Sequence, residues 1–163
     1  MTRKMEDVLE KLKKKYSVLE NKYSLPSFKE MNEDFDIEKI QDKETEMLLR
    51  EVRRAMLEKN LGYLKFAEMF LNPSQAPMFF IMLVKNIDSD YRKNLNDLYA
   101  ELGKYEILSV SLDNIYNEKK EADFIKTFFA KWQNIKKQFA DLMSSLEQGW
   151  DKQSERKEKG YLG

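Results

Sequence analysis

The chain has 163 residues, of which 42% are hydrophobic, enough to fill one core of ordinary domain size, and 36% are charged, above the roughly 25% of an average globular chain. Basic and acidic residues balance at 29 each, so no global field draws in nucleic acid or an anionic membrane, and any such binding must be local. With no Cys and no His, the sequence excludes disulfides, thiolate and imidazole catalysis and the usual zinc sites.

Only five glycines and three prolines punctuate the chain, a composition that favours long solvated helices. The longest apolar run, Met78 to Val84, is far shorter than the roughly 20 residues of a membrane-spanning helix, so no membrane is expected as a partner. Met1 to Asp7 turns acidic before any apolar stretch and lacks a small-residue cleavage site, which reads against a secretory signal and for a cytoplasmic location.

The first predicted helix covers about 4–23. Its apolar residues Leu9, Leu12, Tyr16, Leu19 and Tyr23 alternate by three and four, the spacing of a packed helical seam, and lysines coat the other faces. Leu25-Pro26 stops it, because the residue before proline is pushed out of the helical region. Ser27 with Glu30 three places on forms a capping box for a short helix over about 27–35, whose Phe28, Met31 and Phe35 share a face. This second segment is locally acidic, whereas the first is locally basic.

Asp42 is read as the cap of a long helix over about 43–71, closed by Asn72-Pro73. Leu48, Leu49, Val52, Ala55 and Met56 give its first half one apolar face. A polar break at Lys59-Asn60 and Gly62 follows, and the nearly all-apolar stretch Tyr63 to Leu71 is expected to be the buried centre of the fold. Pro77 suits the first turn of a short helix over about 77–87. Asp88-Ser89-Asp90 caps a helix over about 89–116, in which Tyr91, Leu95, Leu98, Leu102, Tyr105, Ser109, Leu112 and Tyr116 form a second seam. Asn117 caps the last helix, about 118–149, with a third seam through Ile125, Phe128, Trp132, Ile135, Phe139, Leu142 and Leu146, and Gly149 is read as its end.

The expected fold is therefore all-α: an antiparallel bundle of four long helices (about 4–23, 43–71, 89–116 and 118–149) and two short ones (about 27–35 and 77–87). A single domain is expected over 1–150, followed by a mobile charged tail over 151–163, which holds too little apolar surface to offset its ordering entropy.

No phosphate-cradling glycine loop is present, so the surviving chemistry is carboxylate chemistry. Glu30 with Glu33, and Glu118 with Glu121 and Asp123, have the spacing to share a helix face and hold a magnesium ion for nucleotide hydrolysis, although such pairs also arise on ordinary solvated faces. Lys13, Lys14 and Lys15, the cluster Arg50, Arg53 and Arg54, and Lys131, Lys136 and Lys137 are the candidates for a nucleic-acid backbone. Trp132 and the seam tyrosines are expected in the core rather than as stacking platforms, and Glu46 is placed to pair with Arg50 on one helix. Asn72, Pro73, Pro77, Met78 and Phe79 form a proline-bracketed turn beside apolar side chains, the candidate partner site. The leading expectation is a non-enzymatic helical interaction or scaffold protein, with no cofactor, that binds a protein partner or itself. The alternatives are a small helical subunit on a nucleic-acid backbone and a carboxylate-only magnesium-dependent nucleotide hydrolase.

Overall fold

The computed structural model describes residues 2–41, 43, 45–85 and 88–160, with side chains from Val8 to Trp150 apart from positions 42, 44, 75, 86 and 87. The described residues are all-α, in six helices: α1 (Thr2–Tyr23), α2 (Phe28–Phe35), α3 (Leu48–Leu71), α4 (Met78–Val84), α5 (Ser89–Asp113) and α6 (Glu118–Gly160). Two 3-10 turns, Ile37–Ile40 and Pro73–Gln75, lie in the connections.

Local chemistry explains most of the boundaries. Ser27 accepts from the Glu30 amide while the Glu30 carboxylate accepts from the Ser27 amide at 2.9 Å, so the predicted capping box starts α2. Asp88 accepts from the Tyr91 amide at 2.7 Å at the start of α5, and Asn117 from the Lys120 amide at 3.0 Å at the start of α6. The first helix ends at Tyr23, where Ser24 takes a left-handed conformation (φ 53°) and the Leu25 amide bonds back to the Glu20 carbonyl.

Four boundaries differ from the sequence reading by three residues or more, among them the end of α4, which falls at Val84 rather than at about 87. Asp42 lies outside the described residues, and α3 begins only at Leu48, after Thr45 Oγ1 has accepted from the Met47 amide. The fifth helix stops at Asp113, leaving Tyr116 in the connection to α6. Most consequentially, α6 does not end at Gly149 but continues to Gly160. Gly149 keeps a negative φ, and the roughly 1 kcal/mol that a helical glycine costs is offset by the packing of Trp150 one residue on.

Contacts cluster into two compact units, one of 1–61 with 104–131 and one of 62–103 with 132–163, a division that the reading of 1–150 as one domain does not draw. The boundaries fall within α3, α5 and α6, at Leu61/Gly62, Gly103/Lys104 and Lys131/Trp132. In the first unit the pairs Arg50–Leu112, Arg53–Ser109 and Asn60–Glu106 descend along α5 as they ascend α3, so these segments run antiparallel. Its core contains Tyr16, Met31, Phe35, Ile37, Met56, Ile125 and Phe128. Tyr105 packs on Phe128 at 4.7 Å between ring centroids, and buried Tyr16 donates its hydroxyl to the Pro26 carbonyl at 2.8 Å.

In the second unit Leu95, Leu98, Leu102, Trp132 and Ile135 are buried, so the seams of α5 and α6 do line the core. Tyr63 stacks on Phe139 at 4.0 Å and lies 4.9 Å from Trp132, and Tyr91 donates to the Leu142 carbonyl. The stretch Tyr63 to Leu71 is less enclosed than expected. Only Ala67 and Phe70 are fully buried, Lys65 and Glu68 are exposed, and the remainder is half-buried. From this segment Phe66 and Phe70 line an open groove.

Candidate interaction groove

In the second unit, Phe66 and Phe70 of α3, Phe79, Phe80 and Leu83 of α4, and Met143, Leu146, Glu147 and Trp150 of α6 line a groove of about 600 Å³. Pro73 opens a 3-10 turn and Pro77 precedes α4, so the two prolines deliver the chain from α3 into a helix packed back onto it. Phe80 meets Phe66 and Phe70 edge-on at 5.9 and 5.1 Å, forming the floor. Phe79 turns outward, and its ring lies 5.2 Å from Trp150. Met78 is 70% exposed, Phe79 50% and Trp150 40%. Glu147 is the only charged lining residue.

Of the predicted partner residues, Phe79 lines the groove and Met78 stands beside it in sequence at the start of α4. Asn72 and Pro77 are exposed and Pro73 is half-buried, shaping the turn without lining the groove. Sequence reading missed Phe66, Phe70, Leu83, Met143, Leu146, Glu147 and Trp150 as groove residues. The available signal was the excess of aromatics in the second half of α3, and reading Gly149 as a stop concealed Trp150.

The arginine cluster proves to be largely internal to the first unit. Arg53 is fully buried and Glu121 is 1% exposed. Arg53 Nε donates to Glu121 Oε2 at 2.6 Å, one terminal nitrogen donates to Asp113 at 2.6 Å, and the other donates to the Ser109 hydroxyl and carbonyl. Burial pulls the guanidinium downward in pKa, but the bonds it donates to Glu121 and Asp113 more than compensate and hold it above its ordinary value. The same Arg53 bond holds the Asp113 carboxyl below the usual carboxylate range.

Arg50 does not depend on Glu46, which precedes α3. It lies 3.5 Å from Glu121, donates to the Leu112 carbonyl and covers the Tyr116 ring at 5.2 Å. Arg54 is half-exposed but paired with Glu51 and Asp113. The guanidinium of Arg53 is thus enclosed, and those of Arg50 and Arg54 are engaged by protein acceptors rather than displayed for phosphates.

On α1, Lys13 pairs with Glu10 at 3.0 Å, while exposed Lys14 and Lys15 line a cleft of about 390 Å³ with Val8, Leu12, Ile40 and Leu48. Of the remaining basic candidates, Lys131 and Lys137 are exposed and Lys136 is half-buried. Trp132, Tyr16 and Tyr105 are buried, in keeping with core roles.

The carboxylate candidates are committed to other bonds. Glu30 caps α2, and its pKa is lowered by the Ser27 hydroxyl and amide. Glu33 lies 3.8 Å from Lys29. Glu118 accepts from Lys22 at 2.8 Å and Tyr23 at 2.7 Å, bonds that hold it below its ordinary value. Glu121 belongs to Arg53, and Asp123 pairs with Lys126 at 3.3 Å. Among the described residues no three acidic side chains gather into a cation site, and no helix is long and apolar enough to cross a membrane.

Fold and groove together define a class, an all-α protein with an open aromatic surface. No protein-family model, curated protein or solved structure matches the chain.

Proposed function

We propose that this chain is a non-enzymatic helical interaction protein whose second unit receives a short apolar helix in the groove between α3, α4 and α6. One observation carries the reading: of the three large hydrophobic residues left exposed in that unit among its described residues, Phe79 and Trp150 line this one concave surface and the third, Met78, directly precedes Phe79 in the chain. Isolated exposed apolar residues need no explanation, but an aromatic-lined concavity with an exposed apolar rim is the form of a binding surface. Grooves of this kind take an amphipathic helix through side chains spaced three and four apart, and buried aromatics supply most of the binding energy.

The test is retention from a native-cell extract on immobilised protein, wild type against Phe79→Asp. A defined polypeptide held by the wild type and lost from the variant is the expected result. Equal retention on both, or none on either, overturns the reading. Magnesium-dependent turnover of a nucleoside triphosphate that disappears in Glu118→Gln would also overturn it, in favour of the carboxylate hydrolase.

A further inference from the structure

We propose that the helix received by the groove is α4 of a second copy of this chain, the two copies pairing about a twofold axis. The proposal rests on the groove being a docking surface and names its occupant. A twofold interface is made from the same patch on both partners, so the patch must carry a projection and a cavity that accepts it. Here one short helix supplies both. Phe80 and Leu83 line the groove with Leu83 buried, whereas Phe79 lines it while remaining 50% exposed and the preceding Met78 is 70% exposed. Across Met78–Val84 there is no charged or polar side chain, so the outward side of α4 has no solvated face of its own.

Size and charge are compatible with such pairing. A groove of about 600 Å³ has room for a methionine and a phenylalanine side chain, and the unbranched thioether adapts to an irregular wall. The chain carries 29 charges of each sign, so two copies approach without net repulsion. The seven-residue helix ends at exposed Lys85, which brings a cation toward the partner's Glu147, the single acidic group of the lining. Trp150, 40% exposed and in contact with Phe79, is covered by the docking copy and reports its arrival.

Sedimentation velocity of the intact protein over about a hundredfold range of micromolar concentration tests this. The expected result is a shift from 19.5 kDa toward twice that mass, accompanied by a blue shift of tryptophan emission from Trp150. Phe79→Asp raises the dissociation constant by at least about thirtyfold, as does Met78→Asp, whose site is too exposed to disturb the core. Ile107→Asp, at an exposed aliphatic residue of the first unit, changes it by less than about twofold.

A 19.5 kDa species at every concentration overturns the proposal, as does a dimer that survives both rim substitutions or is lost only in Ile107→Asp. A monomeric protein that still retains a Phe79-dependent polypeptide from extract overturns self-pairing and leaves the docking surface standing. Loss of both results overturns both readings.

Discussion

Replacing Arg53 with Met keeps most of the aliphatic stem and removes the guanidinium. Glu121, 1% exposed, then loses its 2.6 Å partner and retains only Arg50 at 3.5 Å, while the Ser109 hydroxyl and the Asp113 carboxylate lose their donor. Removing one member of a buried ion pair costs about 3–5 kcal/mol, and the residual attraction of Arg50 places this case near the lower end, about 3 kcal/mol. For a chain of this size that corresponds to a fall in Tm of about 6–12 °C and a rise of about a hundredfold in the unfolding constant. Glu121→Leu alone is expected to be similarly destabilising, since Arg53 is then left buried with Asp113 as its sole carboxylate partner. The double substitution Arg53→Met with Glu121→Leu removes both charges together and is expected within about 1 kcal/mol of wild type. Urea unfolding followed by circular dichroism measures all three. If Arg53→Met costs less than about 1 kcal/mol, or if the double variant costs the sum of the singles, the cluster is not the dry, mutually dependent pair described here.

Acid unfolding reports on the same cluster. Asp113 has its pKa lowered in the folded protein, chiefly by the Arg53 bond, so its stabilisation is present above the unfolded value of about 3.9 and is lost as pH falls through the lower folded value. Arg53→Met should therefore flatten the decline of stability below about pH 4, and an unchanged acid limb would contradict that assignment. Ser27→Ala removes the N-cap of α2 and is expected to cost about 1 kcal/mol in urea unfolding, a loss that Ser27→Asp largely avoids. Phe70→Ala, in the buried wall of the groove, is expected to cost about 3–5 kcal/mol, whereas Phe79→Ala on its rim costs under about 1 kcal/mol. Comparable losses at both positions would mean that Phe79 belongs to the core.

What could be read from sequence was the short-range and the periodic. Ser27, Asp88 and Asn117 cap helices through bonds spanning three residues, and such spacing is visible without knowing the fold. Leu95, Leu98 and Leu102, or Ile125, Phe128 and Trp132, repeat often enough to identify a buried face. Arg53 was opaque because its partners lie 56 to 68 residues away and because an arginine between Val52 and Arg54 looks like surface. The groove was half legible: Phe79 stood out beside its prolines, but its neighbour Trp150 required α6 to pass through Gly149, and Met143, Leu146 and Glu147 lie more than 60 residues from Phe79 in sequence. Gly149 carried a stop signal that the packing of Trp150 against Phe79 overrode.

A heptad seam is translationally degenerate: sliding one helix by seven residues sets apolar side chains on apolar side chains again, at little energetic penalty. Arg53 and Asn60 stand one such step apart on α3, both fully buried, and each is matched to a different polar group of α5, Ser109 and Glu106. A slide of α5 by seven would offer Leu102 in the place of Ser109 and Tyr99 in that of Glu106. Arg53 would then be separated from Ser109 and Asn60 from its carboxylate acceptor, at about 1–3 kcal/mol for each orphaned group. The two polar residues thus act as an address within an otherwise repetitive surface, disfavouring that shifted alignment of α3 with α5.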